Sequence, residues 1–162
     1  MTEDGPEPTD HDIELILQRA TVQQWDSLWA AVDAVAHEAE HLTWGGGQQV
    51  DTTVVDGVQR PVFQMPYAVY SEATERLLQA LYDISAIVPF NWPDWHGVKT
   101  YRGGDRMDSA PVADAVRMTT AIVRADRFSD GTVGAMLNDG TLLAALRRIR
   151  RWQGRGRRHL TR

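Results

Sequence analysis

The chain has 162 residues, a net charge of −5 and no cysteine. Its length suits one domain with a sizeable hydrophobic core, and the lack of cysteine excludes disulfides, thiolate catalysis and cysteine-bound zinc. The first residues are acidic and polar, unlike a signal peptide, and no apolar run is long enough to cross a bilayer. We therefore expect a cytoplasmic protein that has no membrane contact.

The N-terminal segment and two helices come first in the chain. Residues 1–9 contain two prolines among acidic side chains and are predicted to be disordered, so the single globular domain is placed at residues 10–153. A short helix around Ile13 precedes a longer helix whose N-cap is Thr21, with Gln24 at the capping-box position. The apolar positions of this second helix repeat with helical spacing, and the three glycines at 45–47 are expected to end it.

The end of the second predicted helix carries the pattern of a zinc-protease helix, HEAEH at residues 37–41. In such enzymes two histidines one helical turn apart bind zinc, and the glutamate acts as general base. The pattern offers His37 and His41 as zinc ligands and Glu38 as the catalytic base of a zinc-dependent hydrolase. However, both histidines lie about 140–180° from Val32, the centre of the apolar stripe. We therefore expect a solvent-facing helix surface and no cofactor, with zinc as the alternative.

A change from helical to alternating spacing predicts a β-hairpin next. Two β-branched segments flank Asp56-Gly57, a pair that is typical of a tight turn. Pro61 marks the second arm as an edge strand, because proline cannot donate a ladder hydrogen bond. The helix that follows is predicted to begin at Pro66 or Ser71.

An aromatic loop at residues 90–95 follows this third helix. Trp92 and Trp95 could line a binding pocket or a protein interface. Alternatively, the loop plugs one end of the helical core, as large aromatic side chains often do. The segment from Val98 to Tyr101 is predicted to be a short strand.

The fourth long helix runs from a predicted cap at Ser109 towards Arg127. At about 100° per residue, Arg127 falls within about 20° of the centre of the apolar stripe. An arginine in that position is expected to be buried and paired. Together with Arg124 and Asp126 it forms either an internal ion-pair network that braces the helix end or an anion-binding site.

The C-terminal part is predicted to form a short helix capped by Ser129 and then a final helix capped by Thr141. After Asp139 the chain contains eight arginines and no acidic residue, and residues 154–162 are predicted to be a flexible Arg-rich tail. No helix-turn-helix or zinc-finger pattern is present, so contact with a phosphate backbone would be weak and non-specific. The candidate nucleic-acid contacts are Arg150, Arg151, Arg155, Arg157 and Arg158.

Two segments of the chain resemble a known bacterial family. The first is MTTAIVRADRFSDG at residues 118–131, which continues to Leu146, and the second is FNWPDW at residues 90–95, where the family usually has an acidic residue in place of Asn91. On these segments the chain resembles the bacterial domain-of-unknown-function family 6508 over roughly residues 65–150. The resemblance implies no assigned activity, substrate or cofactor, and it agrees with the predicted helices.

These patterns predict a mainly α fold, a single compact domain of five to six helices with a small β-hairpin. No Ser-His-Asp order, P-loop or Rossmann glycine pattern is present. We therefore expect a non-enzymatic interaction module that binds an unknown protein partner or a second copy of itself. The alternatives are the zinc-dependent hydrolase and non-specific nucleic-acid binding.

Overall fold

The computed structural model describes residues 6–159, with side chains up to residue 156. Seven α-helices and four strands lie in this range, one helix more than expected: α1 Asp10–Gln18, α2 Val22–Ala36, β1 Thr43–Gly45, β2 Gln49–Val55, β3 Val58–Phe63, β4 Tyr67–Val69, α3 Glu72–Asp83, α4 Gly97–Tyr101, α5 Val112–Asp126, α6 Thr132–Asn138 and α7 Thr141–His159. Short 3₁₀ turns at Trp92–Asp94 and Met107–Ser109 precede α4 and α5. The predicted mainly α fold with a β-hairpin is confirmed.

Helix α5 lies at the centre of the helical body. Ten of its fifteen residues are buried, and it packs against α1, α4, α6 and α7. A helix with neighbours on most sides must be apolar or small almost all round, and the sequence from Val112 to Val123 meets this requirement with its alanines, valines and buried threonines. Its buried residues join those of the other helices in one core cluster.

Side-chain caps fix where α2 and α3 begin. Thr21 Oγ1 accepts a hydrogen bond from Gln24 N at 3.2 Å, and Gln24 Oε1 accepts one from Thr21 N at 2.9 Å, which confirms the predicted capping box. Ser71 Oγ accepts a hydrogen bond from Thr74 N at 3.2 Å, so Ser71 and not Pro66 starts α3. The two helices then pack against each other.

The strands form two antiparallel sheets of two strands each. In the predicted hairpin, Val55 of β2 stands opposite Val58 of β3. Asp56 and Gly57 make the turn with φ angles of +51° and +75°, as a type I′ turn requires. β1 and β4 pair antiparallel as a second two-stranded sheet that the sequence analysis did not predict.

Three local predictions differ from the structure. The segment Val98–Tyr101, expected to be a strand, belongs to helix α4. α5 begins after Pro111, and Ser109 lies in the preceding 3₁₀ turn and does not cap it. Gly154, expected to open a flexible tail, lies inside α7, which is anchored next to it by a hydrogen bond from Trp29 Nε1 to Gln153 Oε1 at 2.9 Å.

Residues 6–9, expected to be disordered, contact the helical body. The Glu7 carboxylate accepts a hydrogen bond from Asn91 N at 2.7 Å. Thr9 Oγ1 accepts one from Asp12 N at 3.2 Å and caps α1. The Glu7 carboxylate thus accepts from a backbone donor distant in sequence, which the sequence alone could not identify. The rest of the predicted disordered segment, residues 1–5, lies outside the described residues.

Candidate functional site

The HEAEH segment does not form the helix that a zinc site of this type needs. α2 ends at Ala36 with His37 as its C-cap, so the two histidines are not one turn apart on one helix. His37 Nδ1 lies 2.6 Å from Asp33 O, and Glu38 accepts a hydrogen bond from Ser71 Oγ at 2.7 Å. Within residues 6–159, no three His, Asp or Glu side chains are grouped to hold a metal ion.

His41 lies in the connection between α2 and β1 and is half-buried. The connection packs against α6 at Gly134, where an added Cβ would come within 3.1 Å of His41 O and 2.7 Å of Leu42 Cβ. The expectation that His41 faces solvent from a long second helix is therefore wrong. Packing of Leu42 against α6 requires the chain to leave the helix before His41.

We expect the purified protein to carry no stoichiometric zinc, because the two histidines lack the helical spacing that the motif requires. Elemental analysis after dialysis against a zinc-containing buffer tests this, with His41→Ala as the control variant. A content of about one zinc per chain that is lost in His41→Ala would contradict the expectation.

The expected burial of Arg127 is also wrong. Arg127 is exposed at the C-cap of α5, where its guanidinium donates a hydrogen bond to the Tyr82 hydroxyl at 3.2 Å. Burial decreases along the last turn, from buried Val123 through half-buried Arg124 to Arg127, because the helix end leaves the core. Neither arginine forms an ion pair within the part of the chain that the structure describes.

Asp126 joins the elements that meet at the corner between the end of α5 and the start of α6, which we call the Asp126 corner. It takes the place of the expected ion pairs. Its Oδ1 accepts hydrogen bonds from the Tyr70 hydroxyl at 2.5 Å and from Val133 N at 3.0 Å, so it joins the end of α5 to α6 and to the segment before α3. Burial and the hydrogen bond to Asp126 raise the pKa of the Tyr70 hydroxyl. Gly131, with φ of +90°, occupies the N-cap of α6 that was expected for Ser129.

The aromatic loop borders a cavity of about 420 Å³ between the loop and helices α5 and α6. Trp92 and Trp95 line it from the loop, and Ile122, Ala125 and Met136 line it from the two helices. Both tryptophans are half-buried, so each keeps part of its ring accessible. The structure thus places the two sequence-predicted tryptophans at one apolar cavity.

Ring contacts hold the two tryptophans in place. Trp95 meets Phe90 edge to face with ring centroids 5.8 Å apart. It also covers Gly97, where an added Cβ would come within 2.2 Å of the indole ring. Trp92 stacks on Phe128 with centroids 6.0 Å apart, and Phe128 is 83% exposed. The apolar surface therefore continues from the cavity onto the outside of the protein.

The β2–β3 hairpin exposes apolar side chains on both of its faces, which the sequence analysis missed. All residues of the two strands are exposed, with Val54 at 64% and Phe63 at 57%. A signal was present in the sequence: the neighbours Val54-Val55 and Val62-Phe63 put apolar residues at odd and even positions, whereas a half-buried strand alternates. This hairpin has no distinct inner face.

Two of the five candidate nucleic-acid contacts are paired with acidic side chains. Arg150 lies 2.8 Å from Asp33, whose pKa it lowers by hydrogen bonding, and its guanidinium lies 5.2 Å from the centre of the Trp29 ring. Arg151 lies 2.9 Å from Asp108. These pairs reduce the positive charge available to phosphate. The remaining candidates are Arg155, which is exposed, and two residues whose side chains lie outside the described residues, Arg157 and Arg158.

The comparisons with known proteins agree with the two signature segments. Within residues 6–159 no helix is long and apolar enough to span a membrane. No curated protein and no solved structure matches the chain. One family model matches residues 20–155, a range that contains the aromatic loop, the Asp126 corner and most of α7. The chain therefore belongs to the family of unknown function DUF6508.

Proposed function

We propose that the protein is a non-enzymatic interaction module that binds a hydrophobic side chain of a protein partner in the cavity beside the aromatic loop. The observation that carries this proposal is the cavity itself, about 420 Å³ in volume and lined mainly by apolar and aromatic side chains. Recognition sites are commonly concave and apolar, with a small number of polar groups, and cavities of a few hundred cubic ångströms are usual.

The polar part of the lining favours binding over catalysis. The ionisable lining residues are Asp94, His96 and Lys99, and all three are exposed. Catalytic acids and bases are typically desolvated so that their pKa suits proton transfer, whereas these groups remain in water. The apolar lining residues Ala121 and Ile122 are buried. Burial of apolar surface is thus the interaction that the cavity offers.

The surroundings of the cavity favour a protein partner over an isolated small molecule. Phe128 stacks on Trp92 while most of its own ring surface is exposed. Protein interfaces characteristically combine a pocket for one anchoring side chain with exposed aromatic surface around it. A partner that inserts one side chain next to Trp92 would cover Phe128 at the same time.

We expect N-acetyl-leucinamide and N-acetyl-phenylalaninamide, used as probes for a partner's side chain, to shift the indole N–H signals of Trp92 and Trp95 in nitrogen-15 NMR spectra. The chain has six tryptophans, and Trp→Phe variants would assign their signals. Trp25 and Trp29, which are buried in the core, should not respond because the probe cannot reach them.

A matched pair of variants tests whether the cavity is responsible. Ala125 lines the cavity, whereas Ala135 lies on the exposed side of α6. Ala125→Phe should fill the cavity and remove the probe-induced shifts, and Ala135→Phe should leave them unchanged. The proposal is wrong if Ala125→Phe binds the probes as well as the parent, or if the shifts are spread over all six indole signals.

A further inference from the structure

We propose that the outer edge of β2 pairs with β2 of a second copy of this chain, so that two hairpins form one four-stranded antiparallel sheet. This surface is separate from the cavity, whose lining contains no residue of β2 or β3. The proposal rests on three properties of the hairpin. These are the backbone groups that point outwards, the edge that is protected, and the match of side chains across the seam, by which we mean the contact between the two β2 strands.

The hairpin geometry determines which backbone groups of β2 are free. Val55 and Val58 flank a two-residue turn, and such flanking residues exchange hydrogen bonds with each other. Because bonded and non-bonded pairs alternate along an antiparallel ladder, the next residue of β2, Val54, directs its N–H and C=O away from β3, and so does Thr52. These groups form the outer edge of β2.

The two edges of the hairpin differ in protection. Proteins commonly block exposed strand edges with proline or charged side chains, since an open edge pairs with other strands. On β3, Pro61 stands opposite Thr52 and Arg60 opposite Thr53, so proline removes the outward donor at the centre of that edge. The segment from Thr52 to Val55 contains neither proline nor charge. The open edge of the β2–β3 hairpin is therefore that of β2.

The sequence of β2 is compatible with two-fold antiparallel pairing. With Thr53 opposite Thr53 of the second copy, Val54 stands opposite Thr52, and the N–H and C=O groups of these two residues face each other. Asp51 then stands opposite Val55, so no two like charges are directly paired, which would be destabilising. The β-branched side chains at the seam are those that pack well across neighbouring strands.

Pairing of two copies would also explain how an exposed hairpin remains folded. An isolated two-stranded ribbon is marginally stable in water, and three or more strands are usually needed. All residues of β2 and β3 are exposed in the single chain. Since the hairpin has one open edge, two-fold pairing of two hairpins uses the open edge of each and closes the assembly as a dimer. A hairpin with two open edges would instead pair into a filament.

Sedimentation-velocity ultracentrifugation of the full chain, with two matched proline variants, tests this inference. One chain has a mass of 18.2 kDa, and the parent should sediment as a species of twice that mass. Val54 and Gln59 are directly opposite each other, and both N–H groups point away from the hairpin, so proline at either position keeps the internal ladder. We expect loss of the dimer in Val54→Pro and an unchanged dimer in Gln59→Pro.

Amide hydrogen exchange gives a second readout at the level of single residues. In the dimer the Thr52 and Val54 amides should exchange slowly and the Gln59 amide should exchange fast, because only the β2 edge is paired. Any one of four results would overturn the proposal: a monomeric parent, a dimeric Val54→Pro variant, a monomeric Gln59→Pro variant, or equally fast exchange of the Thr52, Val54 and Gln59 amides. Probe binding at Trp92 and Trp95 is measured independently, so either proposal can fail alone.

Discussion

Replacement of Thr120 by valine is expected to lower the free energy of unfolding by about 2–5 kcal/mol. Thr120 is fully buried on α5. Its hydroxyl donates a hydrogen bond to Ala86 O and accepts one from Val88 N, both at 3.1 Å. Valine keeps the shape but leaves a buried carbonyl and a buried N–H without partners. The segment between α3 and the aromatic loop would lose its attachment to α5.

The neighbouring Thr119 provides a matched control, because it is equally buried on the same helix. Its hydroxyl donates to Ala115 O at 2.9 Å, a carbonyl four residues earlier that also accepts the helical N–H bond. Thr119→Val therefore strands no backbone group and should cost less than about 1 kcal/mol. Urea unfolding followed by circular dichroism measures both values. Equal losses in the two variants would contradict the role assigned to Thr120.

Asp126→Ala is expected to lower the free energy of unfolding by about 2–4 kcal/mol, since hydrogen bonds to an ionised group are stronger than neutral ones. The substitution removes the acceptor of both the Tyr70 hydroxyl and Val133 N. Val133 is fully buried, so its N–H cannot recover a bond with water. The end of α5 would lose its hydrogen bonds to α6 and to the segment that leads into α3.

The next residue supplies the control for this second prediction. Arg127 is exposed and makes one side-chain hydrogen bond, to Tyr82. Arg127→Ala should therefore stay within about 0.5 kcal/mol of the parent, as is usual for surface substitutions. Thermal melts of the two variants side by side measure the difference. A large loss in Arg127→Ala together with a small loss in Asp126→Ala would restore the arginine as the residue that holds the corner.

Several features of this fold could be predicted from the sequence because they depend on residues close together in the chain. The capping box of Thr21 with Gln24 and the Asp56-Gly57 turn each involve fewer than about five residues, and their geometry follows from local side-chain chemistry. The helical repeat of α5 and the aromatic loop were also predicted correctly. The sequence identifies Trp92 and Trp95 of this loop as candidate binding residues, and both line the cavity.

The features that could not be predicted depend on segments distant in sequence. HEAEH is compatible with a helix, but α2 ends at Ala36 because Leu42 must reach α6 at Gly134, and such tertiary contacts override local propensity. Periodicity placed Arg127 on the apolar stripe. Periodicity gives the direction of a side chain but not the point at which a helix leaves the core.

The sequence by itself determined the order of the helices other than α4 and the position of the hairpin, because periodicity, caps and turn residues act over short ranges. The two signature segments indicated the family. Only the tertiary structure decided that Asp126, and not Arg127, joins α5 to α6 and Tyr70. It also decided that the hairpin leaves the helical body with both faces exposed. Burial depends on what the rest of the chain packs against a residue, and that is a property of the whole fold and not of the local pattern.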